Sequence, residues 1–252
     1  MALIRRPGPR LDEGLVTHID RTPVDLGRAQ EQWDGYVAAL HANDWRTIEV
    51  VPAPECPDAV FIEDAVVVYG DVAVITRPGA DERKPETPGA EAAVAALGYR
   101  VRRIEAPGTL DGGDVLKSGG TVWVGQGGRT NADGIAQLRA ILAEQGADTI
   151  AVPLTKVLHL KSAVTALPDG TVIGYEPLVD DTSVFPTFLA MPEEAGAHVV
   201  LLGGDQLLMA ASAPRSADLL RERGYDIVTV DISEYEKLEG CVTCLSVRLR
   251  GL

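Results

Sequence analysis

Long hydrophobic runs are absent from this 252-residue sequence. The longest apolar stretches, such as residues 65–69 and 199–202, fall far short of the roughly 20 residues that a helix needs to cross a bilayer. The N-terminal segment MALIRRPGPR also lacks the apolar core of a secretory signal. We therefore expect neither a membrane-spanning segment, nor a membrane partner, nor export.

Cysteine and positive charge are both scarce. Three cysteines, Cys56, Cys241 and Cys244, are an odd number in a long chain, which argues against a disulfide framework and favours the cytoplasm. Lys and Arg total 23 against 37 Asp and Glu, a formal charge of -14. Nucleic acids and anionic lipids require clustered basic residues, so neither is an expected partner. A cationic small molecule is compatible with this charge, although many proteins are acidic only for solubility.

The hydrophobic pattern predicts one α/β domain over residues 1–252. Runs rich in Val, Ile and Leu predict strands at 59–62, 66–69, 72–76, 122–124, 163–167, 199–202 and 242–249. Turn sequences predict hairpins within 66–74, 110–124 and 163–173. Helical periodicity predicts helices at 26–42, 89–97, 132–145 and 216–223, the last capped by Ser216 and ended by Gly224.

Hairpin, helix and single strand alternate with a period of roughly 40 to 50 residues, which indicates repeated supersecondary units. Short acidic segments recur beside the strand pairs, at residues 62–64, 111–114 and 203–205. We interpret the pattern as a radial array of αβ units. A doubly wound sheet is the alternative, but antiparallel hairpins argue against an all-parallel strand order.

A cysteine and a histidine are candidates for nucleophilic catalysis. His159 lies in the apolar run 157–160, which predicts an imidazole on a strand facing the interior, and Cys244 lies in the sequence GCVTCLSV. A thiolate nucleophile can pair with a distant histidine once the chain folds. A thiol with a reference pKa near 8.5 needs a nearby cation to react at neutral pH, and histidine can shuttle the protons. A core histidine bonded to backbone is the alternative.

Carboxylates near glycines could orient that histidine. Asp111 and Asp114 flank Gly112 and Gly113, and the glycines permit a sharp backbone path. Either carboxylate could also merely serve the turn.

The segment 56–65 places Asp58, Glu63 and Asp64 in apolar surroundings, where uncompensated charge is costly and a cationic ligand would compensate it. In a regular strand Glu63 and Asp64 face opposite sides, and we favour Asp64 for the pocket. The alternative is a salt bridge to one of the nearby arginines, Arg77, Arg83 or Arg129.

Two loop arginines could bind a carboxylate. The guanidinium groups of Arg83 and Arg129 are suited to bidentate binding, although solvated loop arginines are the commoner case. Carboxylates for a cation, arginines for a carboxylate and a Cys-His pair together indicate a pocket for an amino acid with a cationic side chain.

These motifs resemble those of the dimethylarginine dimethylaminohydrolases, part of the guanidino-group modifying superfamily that includes the arginine deiminases. The resemblance covers nearly the whole chain, through Leu15, Phe61-Ile62-Glu63-Asp64, Ile75-Thr76-Arg77-Pro78-Gly79, Asp111-Gly112-Gly113-Asp114, Arg129-Thr130-Asn131, Leu158-His159-Leu160-Lys161 and Thr243-Cys244-Leu245-Ser246. It implies a pentein, a five-bladed α/β propeller with the active site in its central channel.

The resemblance also implies roles for individual residues. Cys244 matches the nucleophile, His159 the general acid and base, and Asp111 the residue that orients the histidine. The implied substrate contacts are Asp64 with Glu63 beside it for the guanidinium, Arg83 and Arg129 for the carboxylate, and Asp58 with the carbonyls of Leu15 and Leu238 for the α-amino group. The implied reaction is hydrolysis of asymmetric dimethylarginine, and of monomethylarginine, to citrulline through a covalent thiouronium, without metal or cofactor.

Several alternatives remain open on the sequence alone. An arginine deiminase would use the same thiol, although those relatives usually carry a helical insertion for which this chain has no room. Cys241 and Cys244 could instead serve a thiol-redox or zinc-binding protein, with His159 as a further ligand. Cys241 itself could form a regulatory disulfide or pack as a small hydrophobe. A homodimer is possible.

Overall fold

The computed structural model describes residues 1–249, which fold into five three-stranded sheets. The strands are β1 Ala2–Ile4, β2 Thr47–Glu49, β3 Val66–Tyr69, β4 Val72–Ile75, β5 Arg100–Arg103, β6 Val115–Ser118, β7 Thr121–Gln126, β8 Asp148–Pro153, β9 Val164–Ala166, β10 Val172–Gly174, β11 Phe188–Ala190, β12 Val200–Gly203, β13 Gln206–Ala210, β14 Asp226–Val230 and β15 Val247–Arg248. The α-helices are α1 Leu26–Ala42, α2 Thr87–Ala96, α3 Ala132–Ala143, α4 Pro214–Glu222 and α5 Ser233–Glu236.

Every sheet repeats one pattern. A central strand pairs antiparallel with one neighbour and parallel with the other, as β4 does with β3 and β5. A helix makes the crossover to the parallel strand in four sheets, while 3₁₀ helices at Glu176–Leu178 and Thr182–Val184 replace it between β10 and β11. The five sheets are the blades of an α/β propeller, so the predicted radial array and the pentein architecture are confirmed.

The first blade joins the two ends of the described chain. Strand β1 pairs parallel with β2 and antiparallel with β15, through Ala2 opposite Arg248 and Leu3 opposite Val247. The ring is thereby closed by backbone hydrogen bonds between segments far apart in sequence. Since β15 begins only three residues after Cys244, this closure also fixes the backbone that carries the candidate nucleophile.

Apolar clusters lie between the blades. Around α3, for example, Leu138 and Val122 pack with Val67 and Val74 of the preceding hairpin. A sheet with a crossover helix is therefore covered on one face by that helix and on the other by a neighbouring blade, which explains the hydrophobic runs of the hairpin strands. Within residues 1–249, no helix combines the length and the apolar character needed to span a membrane.

Helix α1 and the hairpins at β3–β4, β6–β7 and β9–β10 lie where the sequence predicts them. Residues 59–62 were expected to form a strand, which is wrong: they belong to turns that lead into a 3₁₀ helix at Ile62–Ala65. Of residues 242–249, only Val247–Arg248 form a strand. Short apolar runs cannot distinguish a strand from a buried turn by hydrophobicity alone.

Two further boundaries differ from the prediction. Helix α4 begins at Pro214 rather than after Ser216, and the backbone and side chain of Ser216 both donate hydrogen bonds to Glu193. His159 was expected on a strand, but it directly precedes the 3₁₀ helix Leu160–Ser162, with extended backbone angles. Its side chain is buried, as expected for an inward-facing imidazole.

Short 3₁₀ helices precede the first strand of three successive blades, at Ile62–Ala65, Gly112–Asp114 and Leu160–Ser162. They touch one another because glycine is present: a Cβ on Gly112 would lie 2.0 Å from the carbonyl oxygen of Glu63. The acidic segments at 62–64 and 111–114 thus occupy equivalent positions in adjacent blades. The third, at 203–205, lies instead in the turn between β12 and β13.

Candidate active site

Most of the predicted residues line one small cavity. It is lined by Leu15, Asp58, Phe61, Asp64, Arg83, Arg129, Leu158, His159, Leu238, Glu239, Gly240 and Cys244. All the predicted site residues except Asp111 and Glu63 belong to this lining. Cys244 and His159 face the same space from turns 85 residues apart in sequence (244 minus 159).

His159 is oriented by a buried carboxylate. Its Nε2 lies 3.0 Å from Oδ2 of Asp111, and the other carboxylate oxygen of Asp111 accepts the backbone N–H of Gly79 at 2.9 Å. Burial alone would lower the pKa of His159, but the carboxylates of Asp64, Asp111 and Asp114 outweigh it and raise the pKa to about 9. The imidazole is therefore mainly protonated near pH 7 and can donate a proton.

Asp114 supports the histidine from outside the cavity. Its carboxylate accepts the backbone N–H of Leu160 at 2.9 Å and the hydroxyl of Thr130 at 2.5 Å, which fixes the turn that carries His159. Burial raises the pKa of Asp114 to about 6, although His159 and Thr130 act in the opposite direction. Of the two carboxylates that the sequence offered for orienting the imidazole, Asp111 is the one that contacts the ring.

Asp64 and Glu63 face different surroundings. Asp64 lines the cavity, where it accepts the N–H of Gly113 at 2.7 Å and lies 3.9 Å from Nδ1 of His159. Burial would raise the pKa of Asp64, but His159 and Arg83 outweigh it and hold the pKa well below its usual range. Asp64 is therefore an anion at neutral pH, available to a cation.

Glu63 lies outside the cavity lining and is bound by other side chains. It pairs with Lys161 and Arg248, and it accepts the hydroxyl of Thr243. The alternative of a salt bridge to Arg77, Arg83 or Arg129 holds for Asp64, which pairs with Arg83, but not for Glu63. Because Ile62–Ala65 is a 3₁₀ helix rather than a strand, Glu63 is directed to the residues beside the nucleophile turn.

Arg83 is buried among carboxylates. Its Nη1 donates to Asp64 at 2.5 Å, while Nε and Nη2 donate to Glu86 at 3.0 and 2.9 Å. Burial opposes its charge, but Glu86 and Asp64 outweigh this and raise the pKa of Arg83. Glu86 was not predicted, although its spacing of three residues from Arg83 is a signal for such a pair on a helical turn.

Arg129 approaches the cavity with a buried donor to spare. Its Nη1 lies 3.6 Å from Oδ2 of Asp111, and among the described residues this nitrogen has no hydrogen-bond partner. Buried donors are nearly always satisfied, so this nitrogen indicates a place for an acceptor from a ligand. Gly79 permits the arrangement, since a Cβ there would lie 2.3 Å from the carbonyl oxygen of Arg129.

Asp58 ties an N-terminal segment to the cavity. Its carboxylate accepts the N–H of Leu15 at 3.1 Å, and a Cβ on Gly14 would approach within 2.7 Å of the same group. Burial raises the pKa of Asp58, while Arg83 and the hydrogen bond from Leu15 act in the opposite direction. Leu238 lies beside Gly14 as well and lines the same cavity.

Cys244 lies in a tight turn. Its N–H donates to the carbonyl of Cys241 at 3.0 Å, and its own carbonyl accepts the N–H of Glu63 at 3.2 Å. The pKa of Cys244 is raised by its hydrogen bond with Cys241, by burial and by Glu63 and Asp64. A cation bound in the cavity would oppose this effect and favour the thiolate.

Several lining residues were not predicted. Phe61 packs edge-on against Tyr235, with ring centroids 6.2 Å apart, and a Cβ on Gly240 would lie 2.4 Å from the Phe61 ring. Glu239 has a positive φ of 59° and contacts the segment after Leu15. Positive φ is the usual reason for glycine or asparagine, so nothing in the glutamate itself indicated this geometry.

A metal could be considered where Asp64, Asp111 and His159 bring ligand atoms within 4.8 Å of one another; neither cysteine belongs to this group. The carboxylate oxygens already accept hydrogen bonds from Arg83, Gly113 and Gly79. The raised pKa of His159 further favours the imidazolium, which cannot bind a metal. The donor set fits an ion-pair network better than a metal centre.

Comparison with known proteins gives relatives that match along almost the whole chain. The N(G),N(G)-dimethylarginine dimethylaminohydrolase of Streptomyces coelicolor is 66% identical over 251 residues, covering 100% of this chain and 97% of the relative. The protein of the same name from Pseudomonas aeruginosa is 36% identical over 252 residues, covering 98% of each. A solved cysteine-to-serine mutant of the Pseudomonas aeruginosa protein, complexed with citrulline, matches with a TM-score of 0.92, 35% identity and 98% coverage of each chain. No family model matches the chain.

Proposed function

Because the chain belongs to the dimethylarginine dimethylaminohydrolase family, we propose that it hydrolyses asymmetric dimethylarginine to citrulline and dimethylamine. Monomethylarginine is a second substrate that would release methylamine. The observation that carries the proposal is the cavity shared by Cys244, the protonated His159 and the anionic Asp64. It combines a nucleophile, a proton donor and a site for a guanidinium.

Substrate binding follows from the charges along the cavity. The guanidinium of the substrate pairs with Asp64 and takes over the oxygen that Arg83 contacts. Arg83 then turns its Nη1 toward the substrate carboxylate, which also receives the free donor of Arg129. Asp58 and the carbonyls of Leu15 and Leu238 accept the α-ammonium group. Glu63, paired with Lys161 and Arg248, acts at a distance by holding the turn of the nucleophile.

The first half-reaction forms a covalent intermediate. The bound guanidinium favours the thiolate of Cys244, whose sulfur attacks the guanidinium carbon. His159 donates its proton to the dimethylated nitrogen, so that dimethylamine leaves as a neutral amine. A thiouronium remains on Cys244, and Asp111 keeps the imidazole in the orientation needed for the second half.

The second half-reaction releases citrulline. His159, now neutral, takes a proton from water, and the resulting hydroxide attacks the thiouronium carbon. Collapse of the tetrahedral intermediate expels the Cys244 thiolate, and loss of the hydroxyl proton to solvent leaves the C=O of the ureido group of citrulline. The carboxylates around the cavity stabilise the positive charge throughout, which is the electrostatic role that fixed protein groups serve in such sites.

The test is citrulline release from asymmetric dimethylarginine and from arginine in parallel, after treatment of the protein with a chelator. Wild type should release citrulline from the methylated substrate, and Cys244→Ser should abolish turnover while ligand binding persists. Cys56→Ser provides a matched control, because Cys56 is a free, buried cysteine outside the cavity lining.

Each alternative gives a different result. Citrulline from arginine alone would assign the protein to the deiminases, and loss of activity on chelation would indicate a required metal. Substantial turnover by Cys244→Ser would contradict the nucleophile assignment. The cytoplasmic location and a homodimer stay predictions, to be checked by fractionation and by sedimentation of the purified protein.

A further inference from the structure

A second thiol lies against the candidate nucleophile. The Sγ atoms of Cys241 and Cys244 are 3.3 Å apart, and both cysteines are free and buried. The N–H of Cys244 donates to the carbonyl of Cys241, so the two residues occupy the ends of one tight turn. Turns of this kind hold their end Cα atoms within about 7 Å, which overlaps the Cα separation of ordinary disulfides.

The two sulfurs need only a small movement to bond. A disulfide S–S bond is about 2.05 Å long, so the Sγ atoms must approach by about 1.25 Å, a shift that side-chain rotation can supply. In the same turn, the N–H of Cys241 points to Sγ of Cys244 at 3.5 Å and the hydroxyl of Thr243 lies 3.2 Å from Sγ of Cys241.

Cys241 also lines a cavity of its own. This cavity neighbours the one described above and is bordered by His18, Ser162, His198 and Ile232, among others, while Cys244 belongs to the substrate cavity. A small neutral molecule can therefore reach Cys241 without displacing a bound amino acid.

The surroundings make Cys241 the more reactive thiol of the pair toward an oxidant. The hydrogen bond from Cys244 lowers the pKa of Cys241, with further lowering by His198 and Thr243, while burial and Glu63 oppose it. The same pairing raises the pKa of Cys244. The thiolate is the form that peroxides oxidise.

We propose that Cys241 is a site of oxidation by hydroperoxides, and that oxidised Cys241 forms a reversible disulfide with Cys244. The Cys241 thiolate attacks one oxygen of hydrogen peroxide and the O–O bond breaks. Hydroxide leaves, and Cys241 becomes a sulfenic acid. Sγ of Cys244 then attacks Sγ of Cys241, the S–O bond breaks and water leaves, with the thiol proton accounting for its second hydrogen. The thiol pair loses two electrons, which reduce the peroxide to water.

The disulfide removes the sulfur on which turnover depends, so oxidation inactivates the enzyme and a thiol reductant restores it. This consequence rests on the proposed function, whereas formation of the bond does not. An oxidised pair is also protected from further oxidation of Cys244 to the irreversible sulfinic acid.

The experiment treats the full-length protein with hydrogen peroxide, blocks remaining thiols with an alkylating agent and identifies the modified peptides by mass spectrometry. Wild type should yield a Cys241–Cys244 linkage, lighter than the reduced peptide by two hydrogen atoms, and should regain dimethylarginine hydrolysis on treatment with dithiothreitol. Cys241→Ser should lose activity without recovery. Cys56→Ser is the matched control, because Cys56 is also free and buried but lies elsewhere, and it should behave as wild type.

Sulfinic acid on Cys244 without any linkage, at equal rates in wild type and Cys241→Ser, would overturn the proposal. Since the linkage is detected by mass, it can be established in wild type even if the variant does not fold. A linkage in a protein that releases no citrulline before oxidation would leave this inference intact and contradict the proposed function instead.

Discussion

The charge state of His159 is decided by three carboxylates, and it links folding to pH. The pKa of His159 is about 9 in the folded protein against 6.5 as its ordinary value. A raised pKa stabilises the fold fully below the unfolded pKa, and that stabilisation is lost as the pH rises through the folded pKa. At about 1.4 kcal/mol per unit of pKa, this difference corresponds to at most about 3.4 kcal/mol.

We therefore expect the free energy of unfolding of the wild type to decrease between pH 6.5 and pH 9. In His159→Gln, most of this decrease should be absent. Urea unfolding at several pH values in that interval measures it. Other groups, including the thiols, titrate in both proteins, so the comparison uses the difference between them. Equal pH dependence in wild type and variant would show that folding leaves the pKa of His159 unchanged, which would contradict the raised pKa.

Asp64 and Glu63 offer a matched test because they are adjacent carboxylates in different surroundings. Asp64→Asn should raise KM for dimethylarginine by roughly tenfold to a hundredfold, the effect expected for losing a charge-assisted hydrogen bond worth about 1.5–3 kcal/mol. Glu63→Gln should change KM little and lower stability, since it leaves Lys161 and Arg248 without their anion. Steady-state kinetics and urea unfolding of both variants decide it; unchanged kinetics in Asp64→Asn would make Asp64 structural.

Asp64 was predicted to face the pocket because Glu63 and Asp64 would point to opposite sides of a regular strand, but these residues are not in a strand. The 3₁₀ helix Ile62–Ala65 gives the two carboxylates different directions by another route. The direction of Glu63 depends on Lys161 and Arg248, which lie in other blades. Such contacts are set by tertiary packing, which local patterns do not encode.

At the scale of elements, the segment carrying Leu15 is held at two points. Asp58 accepts the N–H of Leu15, while the carboxylate of Glu239 accepts the N–H groups of Thr17 and His18, at 2.5 and 3.0 Å. Glu239 lines the cavity and has a φ of 59°, a conformation that costs a non-glycine residue about 1–2 kcal/mol. Strain retained beside a cavity is often linked to function.

We expect Glu239→Ala and Glu239→Gly to raise KM alike, because both release the segment from the cavity. Glycine tolerates the positive φ, so Glu239→Gly should be more stable than Glu239→Ala by about 1 kcal/mol. Kinetics of the two variants measure the loss of the hydrogen bonds to the Glu239 carboxylate, and thermal unfolding measures the cost of the positive φ. A KM that changes with the stability of the variant, and not with the loss of the carboxylate, would contradict a role of Glu239 in holding the segment.

The hairpins and helix α1 were predictable because their periodicity and turn residues are local signals. The turns that carry the site were not, as residues 59–62 and 242–246 show: their hydrophobicity comes from burial between blades rather than from strand pairing. Equivalent 3₁₀ helices in successive blades meet around the channel, so one repeated local structure supplies Asp64, Asp111 and His159 to a single site. The repeated units could be recognised in the sequence, but the meeting of these three side chains in one site depends on closure of the ring.

At the scale of the molecule, we expect residues 1–249 to unfold as one cooperative domain that depends on closure of the ring through β1 and β15. Leu3 lies in β1, opposite Val247, and is fully buried, whereas Leu26 at the start of α1 is 40% exposed. Leu3→Ala should lower the free energy of unfolding by about 2–5 kcal/mol, and Leu26→Ala should change it by less than about 0.5 kcal/mol. Urea unfolding followed by fluorescence and by residual activity should give a single shared transition in both, since Cys244 is three residues from the closing strand. A transition in which activity disappears before the fluorescence change in Leu3→Ala would mean that the first blade opens on its own, and that residues 1–249 do not unfold as one unit.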